Sequence, residues 1–137
     1  MRIMAVDYGD ARVGLAVCDP LGILSSPLCT LNVSSMREAI DKTAQKARDE
    51  NAELIVVGLP VNMDGTEGER CQKTRAFGRN LQKVTALPVE YEDERLTSVS
   101  AGELLTEAGV KKDRQKSKLD AVAAQIILQS YIDRTKN

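Results

Sequence analysis

Residues 3–18 read IMAVDYGDARVGLAVC, in which two apolar runs flank a short polar turn. This pattern predicts two strands, from Ile3 to Val6 and from Val13 to Cys18. The sequence DPLG at residues 19–22 marks a second turn, and a third strand is expected within residues 23–32. Because connections of a few residues are too short for a parallel crossover, the three strands should be antiparallel.

The chain then alternates between helical and strand patterns. Ser35 and Glu38 form a capping box for a first helix that ends near Glu50. Residues 53–58, ELIVVG, are typical of a strand covered on both faces. Right-handed crossovers would place this strand, and a later one starting at residues 88–91, parallel to the first. The sequence therefore predicts an α/β fold with a mixed five-stranded sheet and helices on both faces.

Three further helices are predicted. Thr66 and Glu69 would cap the second helix, whose buried residues are Cys71, Phe77, Leu81 and Val84. A third helix would start at Thr97 or Ser100 and end at Gly109, a residue suited to a left-handed cap. The last helix would open at residues 117–120, with Asp120 in its first turn.

The composition predicts one cytoplasmic domain spanning residues 1–137. A chain of 137 residues with 42% hydrophobic residues can bury one core. Lys and Arg number 19 against 20 Asp and Glu, so nucleic-acid binding requires a local patch. The N-terminal residues lack a signal-peptide pattern, and no apolar run reaches the roughly 20 residues of a membrane span, so no membrane partner is expected.

Three acidic residues lie at points that such a sheet would bring together. Asp7 ends the first apolar run, Glu94 ends a later one, and Asp120 opens the last helix. The chain has no histidine, so a metal site would use oxygen ligands, which Mg²⁺ and Mn²⁺ prefer. Simpler explanations exist: a turn aspartate, a charged strand end and a helix-capping acid. Strand alternation does not choose between Asp93 and Glu94.

Cations close to these acids would suit a phosphate backbone. Arg12 follows the first strand and Arg95 follows Glu94, whereas Asp10 is interpreted as a solvated residue. Residues 111–118, KKDRQKSK, carry five cations. The candidate nucleic-acid contacts in this run are Lys111, Lys112, Arg114, Lys116 and Lys118. A solvated loop is the commonest explanation of such a run, but its position just before Asp120 favours contact with nucleic acid.

Four stretches, taken in order, resemble the YqgF/RuvX family of Holliday junction resolvase-like proteins. They are AVDYGDARVGLAVCD (residues 5–19), VVGLPVNMDGTEG (56–68), YEDERLTS (91–98) and LDAVAAQIILQSYI (119–132). The resemblance implies a ribonuclease H-like fold, related to the RuvC resolvase. It also implies that Asp7, Glu94 and Asp120 are the catalytic and metal-binding residues. Asp10 stands where family members often have threonine or serine.

The resemblance further implies a nuclease that hydrolyses phosphodiester bonds with two Mg²⁺ or Mn²⁺ ions during 5′-end processing of pre-16S rRNA. Its partners would be structured RNA and ribosomal assembly intermediates, and the oligomeric state is left open. A Holliday junction resolvase acting on branched DNA is the alternative with the same chemistry. Two other classes stay open: a non-catalytic RNA binder in ribosome assembly, and an ATP-binding module of the actin-like or sugar-kinase type, in which an Asp-x-Gly turn also cradles phosphates.

Overall fold

A computed structural model describes residues 1–97 and 112–135, with side chains described for residues 1–97 and 119–135. In this part of the chain the strands are β1 (Ile3–Tyr8), β2 (Arg12–Cys18), β3 (Ser25–Asn32), β4 (Leu54–Leu59) and β5 (Val89–Asp93). They form one sheet in the order β3-β2-β1-β4-β5. The first three strands are antiparallel, whereas β4 is parallel to β1 and β5. The predicted mixed sheet is confirmed.

The described helices cover both faces of this sheet, as predicted. They are α1 (Met36–Asp49), α2 (Glu69–Thr85) and α3 (Lys112–Thr135). On one face, Phe77 and Leu81 of α2 pack with α1 against alternate residues of the central strands. On the other face, Ile127 and Leu128 of α3 pack against small residues such as Ala5. Every residue of β4 is buried, which explains its continuous apolar sequence.

Of the capping residues predicted for the first two helices, those of α1 are confirmed and those of α2 are not. The Ser35 hydroxyl accepts a hydrogen bond from the Glu38 amide at 3.1 Å, so the cap of α1 is confirmed. The predicted cap of α2 is wrong, because Gly68 is the N-cap and forms no side-chain cap bond. Thr66 is instead engaged by Asp64, whose carboxylate accepts from both its amide and its hydroxyl. Val84 was also predicted to be buried, but it is 47% exposed.

The start of the last helix was predicted too late. α3 begins at Lys112, and nothing from there to Thr135 is a glycine or proline that would interrupt a helix. Asp120 therefore lies well inside the helix and is not a capping acid. Most of the basic run belongs to a helix, not to the solvated loop that its composition indicates. The helix predicted from Thr97 or Ser100 to Gly109 lies outside the described residues, apart from Thr97 itself, which follows a short 3₁₀ turn.

None of the described helices is both long enough and apolar enough to cross a bilayer.

Candidate active site

A close approach between α3 and β2 brings two of the three acids to the same place. Asp7 of β1 is directly opposite Gly14 of β2 in the antiparallel ladder, so both positions face the same side of the sheet. A Cβ atom at Gly14 would overlap the main-chain carbonyl of Asp120. Glycine is therefore required for α3 to lie this close to the sheet. The consequence is that Asp120 is next to the end of β1 that carries Asp7.

Glu94 approaches Asp7 from the side of β1 on which β4 lies, opposite to β2. The strand β5 ends at Asp93, and Glu94 begins a single 3₁₀ turn, Glu94–Leu96. A Cβ atom placed on Gly58 of β4 would lie 3.0 Å from the Glu94 carboxylate oxygen. The Glu94 side chain therefore lies above a glycine in the strand next to β1, close enough to Asp7 for each acid to shift the pKa of the other.

The 3₁₀ turn separates the roles of two adjacent acids that strand periodicity did not separate. Asp93 faces Arg95 and accepts hydrogen bonds from its amide at 2.9 Å and from its guanidinium at 2.7 Å. Glu94 contacts Asp7 instead. Because the strand has already ended, the alternation of side chains no longer applies at Glu94. Arg95, predicted to contact nucleic acid, is thus an outward-facing residue paired with Asp93.

Burial and mutual repulsion hold a proton on the Asp7–Glu94 pair. Desolvation, followed by the charges of Glu94 and Asp120, raises the pKa of Asp7 to about 7, against the opposing charge of Arg70. Desolvation is also the main cause that raises the pKa of Glu94. Two carboxyl groups so close together do not both ionise easily, so burial and mutual repulsion favour the form in which the pair carries one proton. A divalent cation at this point would replace the shared proton.

Asp120 lies beside this pair but bonds to a different partner. Its carboxylate accepts a hydrogen bond from the Arg12 guanidinium at 2.7 Å. Within residues 1–97 and 119–135, no three acidic or cysteine side chains are arranged closely enough to hold a metal ion as they stand. The arrangement is therefore two acids in contact and a third within electrostatic range. Arg12 neutralises that third acid.

The donor set nevertheless fits a hard divalent cation. Oxygen is the only donor atom that Asp7, Glu94 and Asp120 offer, and Mg²⁺ and Mn²⁺ prefer carboxylate oxygen. Among the described residues, Arg70 is the cation whose charge opposes that of the pair, because it lowers the pKa of both acids. Carboxylates in such a position gain stability from a bound cation.

Two cations on α2 lie beside this site and were missed in the sequence. Arg70 donates to the Tyr8 carbonyl at 2.7 Å and to Asp10 at 3.2 Å. Lys73 donates to the same Asp10 oxygen at 2.8 Å. These two bonds, from Lys73 first and then Arg70, lower the pKa of Asp10, which is exposed as predicted but ion-paired. The only signal in the sequence was the position of Arg70 and Lys73 near the start of α2, just after a Gly-rich loop.

For the basic run at residues 112–118, the structure describes the main chain and not the side chains. Lys112, Arg114, Lys116 and Lys118 lie in the first turns of α3, N-terminal to Asp120. Lys111 lies outside the described residues. Contact of these residues with nucleic acid stays a prediction.

The chain is similar to a family of known proteins over nearly its whole length. The family model described as "RuvX: Holliday junction resolvase" matches residues 1–134. A protein of Streptococcus mutans named "Putative pre-16S rRNA nuclease" is 42% identical over 137 residues, 98% of this chain and 99% of its own. A protein of the same name from Moorella thermoacetica is 42% identical over 134 residues, 98% of this chain and 96% of its own.

Two solved structures share the fold. Thermus thermophilus RuvC in complex with Holliday junction substrate has a TM-score of 0.62 and 13% identity, covering 98% of this chain and 96% of that one. The Fowlpox virus resolvase in complex with Holliday junction DNA has the same TM-score and identity and covers 100% of both chains. At this identity the likeness concerns the fold alone. It confirms the predicted ribonuclease H-like, RuvC-like architecture.

Proposed function

Because the chain belongs to the RuvX family of Holliday junction resolvase-like proteins, we propose that it is a metal-dependent nuclease that hydrolyses phosphodiester bonds in 5′-end processing of pre-16S rRNA. The observation that carries the proposal is the buried contact between Asp7 and Glu94 at the edge of the sheet, with Asp120 beside it. We further propose that the chain acts on structured RNA in the cytoplasm as a single domain.

In this proposal Asp7, Glu94 and Asp120 hold two Mg²⁺ or Mn²⁺ ions. Ions bound there would polarise the phosphate and activate the attacking water. Asp7 gives up its proton when the acids bind metal, so metal affinity should increase with pH. Gly14 and Gly58 leave the space that brings the acids together, because a side chain at either position would displace α3 or Glu94.

Arg12 and Arg95 would position the nucleic-acid backbone. Both guanidinium groups are partly exposed at the edge of the site, and each is paired with one carboxylate, Asp120 and Asp93 respectively. Asp120 holds Arg12 through one hydrogen bond, whereas Asp93 holds the Arg95 guanidinium through two, so Arg12 can exchange its partner for a phosphate oxygen more easily than Arg95. The exchange by Arg12 would also free the Asp120 carboxylate to bind metal.

Resolution of Holliday junctions is the alternative that uses the same chemistry. Its support is the fold shared with RuvC and the Fowlpox virus enzyme. At 13% identity, a shared fold does not indicate a shared substrate. The full-length relatives near 40% identity carry the rRNA nuclease name instead. We therefore favour RNA as the substrate.

The deciding experiment compares a 5′-extended 16S rRNA precursor with a four-way DNA junction, each incubated with purified protein and Mg²⁺ or Mn²⁺. We expect cleavage of the RNA, with the junction cut poorly or not at all. Asp7→Asn and Glu94→Gln should lower the rate by more than about 100-fold, since even indirect losses around a metal site cost 10 to 100-fold. Asp93→Asn is the matched control, because its carboxylate faces Arg95 and not Asp7.

Each result has a distinct meaning. Preferential cutting of the junction would assign the resolvase function. Binding of RNA with no cleavage under any metal condition would favour the non-catalytic binder. Undiminished cleavage by Asp7→Asn would refute the proposed metal ligands.

A further inference from the structure

Asp10, Arg70 and Lys73 form an exposed cluster beside the candidate active site. One oxygen of the Asp10 carboxylate accepts from both cations, at 3.2 Å from Arg70 and 2.8 Å from Lys73. Asp10 lies in the turn between β1 and β2, whereas both cations lie near the start of α2. The sequence separations of 60 and 63 residues show that tertiary folding creates the cluster.

Arg70 is held in place independently of Asp10. Its guanidinium donates to the main-chain carbonyl of Tyr8 at 2.7 Å and lies 5.2 Å from the centre of the Tyr8 ring. The ring is itself stacked on the buried Phe77 at 4.4 Å. Removal of Asp10 would therefore leave Arg70 oriented toward the same point in space. An arginine with a fixed orientation loses less freedom when it binds an anion.

The bond to Asp10 is easily exchanged. The Asp10 side chain is 63% exposed, and both cations are also partly exposed. Exposed ion pairs of this kind contribute little to stability in water, because solvent and salt screen them. A phosphate offers more acceptor oxygens than the single carboxylate oxygen used here, and arginine binds phosphate with two parallel hydrogen bonds.

We propose that Arg70 and Lys73 form a binding site for a backbone phosphate of the nucleic acid, and that Asp10 occupies this site until substrate displaces it. The inference rests on the proposed function, because it assumes a nucleic-acid substrate. The Tyr8 carbonyl that holds Arg70 directly follows Asp7 in the chain, so the phosphate bound here would be a neighbour of the one that is cleaved. Asp10 thereby lowers affinity for nucleic acid.

The test measures binding of full-length protein to a fluorescein-labelled RNA hairpin and to a labelled four-way DNA junction, without divalent metal, by fluorescence anisotropy over a range of salt. Asp10→Asn removes the competing charge and should tighten binding by about threefold to fivefold, the range expected for an exposed ion pair. Arg70→Ala and Lys73→Ala should each weaken binding. Each should also reduce the slope of log K against log salt by about 1.

Asp41→Asn is the matched control for the loss of one negative charge. Asp41 is 64% exposed, almost the same as Asp10, and is paired with a single arginine. Asp41 lies on α1 and lines a groove with Asn80 and Lys83 of α2. Asn80 is ten residues after Arg70 in α2, which corresponds to roughly 15 Å along the helix. Its substitution should change affinity by less than twofold.

A mutant cycle, with Asp10→Asn as one change and the pair Arg70→Ala and Lys73→Ala as the other, separates displacement from a general effect of charge. If Asp10 competes for Arg70 and Lys73, Asp10→Asn should have no effect in a protein that already carries Arg70→Ala and Lys73→Ala. The same gain in that background, or no gain in the otherwise unchanged protein, would overturn the inference and leave the proposed function intact. If neither probe is bound by any variant and neither is cleaved with metal, the proposed function fails, and the inference fails with it.

Discussion

Replacement of Asp7 by asparagine should make the metal-free protein more stable at high pH. The pKa of Asp7 rises from 3.8 to about 7 on folding, with burial as the largest cause. A carboxyl group with a raised pKa binds its proton more tightly in the folded state. Its stabilising contribution is therefore fully present below the unfolded pKa and is lost as pH rises through about 7.

The magnitude follows from the size of the shift. Between the unfolded pKa of 3.8 and the folded pKa of about 7, the unfolding free energy should fall by about 4 kcal/mol. Roughly 2 to 3 kcal/mol of this loss should occur between about pH 5 and about pH 8. Asparagine has nearly the same shape, does not ionise, and its amide can donate to Glu94 in place of the carboxyl proton. Asp7→Asn should therefore lose less stability than the unchanged protein across this range.

The assay is urea denaturation in the presence of a chelator, at about pH 5 and about pH 8, for both proteins. Addition of Mn²⁺ at the higher pH should restore stability to the unchanged protein and little to Asp7→Asn. Equal losses of stability by the two proteins between these pH values would refute the reasoning. The reasoning would also be refuted if, without metal at the higher pH, Asp7→Asn were less stable than the unchanged protein.

Three further substitutions test the geometry. Gly14→Ala should cost about 1 to 3 kcal/mol of stability, measured by denaturation, and should also lower nuclease activity, because the new Cβ pushes α3 and Asp120 away from β2. Arg134→Ala should cost about 1 to 3 kcal/mol with activity per folded molecule unchanged, since the buried Glu92 would lose its cationic partner and keep only the hydrogen bond from Ser130 among those described. Asp93→Asn should reduce stability slightly near neutral pH, because Arg95 lowers the pKa of Asp93. An effect of Asp93→Asn on cleavage as large as that of Glu94→Gln would contradict the assignment of Glu94.

Local patterns predicted the parts of the fold whose causes are local. The β1–β2 hairpin follows from apolar runs separated by a short turn, and β4 follows from its continuous apolar sequence. The start of α3 was misplaced because the charged residues before Asp120 resemble a loop in composition. Helix formation there depends on continuity with the buried segment that follows, which composition does not describe.

The candidate site was predictable only in part, since its contacts join distant segments. The order of the elements placed Asp7 and the acids at the end of β5 at one edge of the sheet, and the small residues after Asp120 indicated that the last helix packs close to that edge. The choice of Glu94 over Asp93 depended on the residue at which β5 ends, and strand ends are the least predictable part of an element. Arg70 and Lys73 read as ordinary exposed residues of an amphipathic helix, and only the fold reveals that they meet Asp10.

The contact between α3 and Gly14 has a consequence for the time at which the site can assemble during synthesis. Arg12 and Asp120 are 108 residues apart in the chain, so a ribosome makes nearly the whole domain before the third acid exists. A nascent chain that has folded its sheet and its first helices still lacks Asp120, and domains form their complete contacts only when the last element docks. If the function is cleavage of ribosomal RNA, the order of synthesis keeps the emerging chain inactive until α3 has been made and has docked.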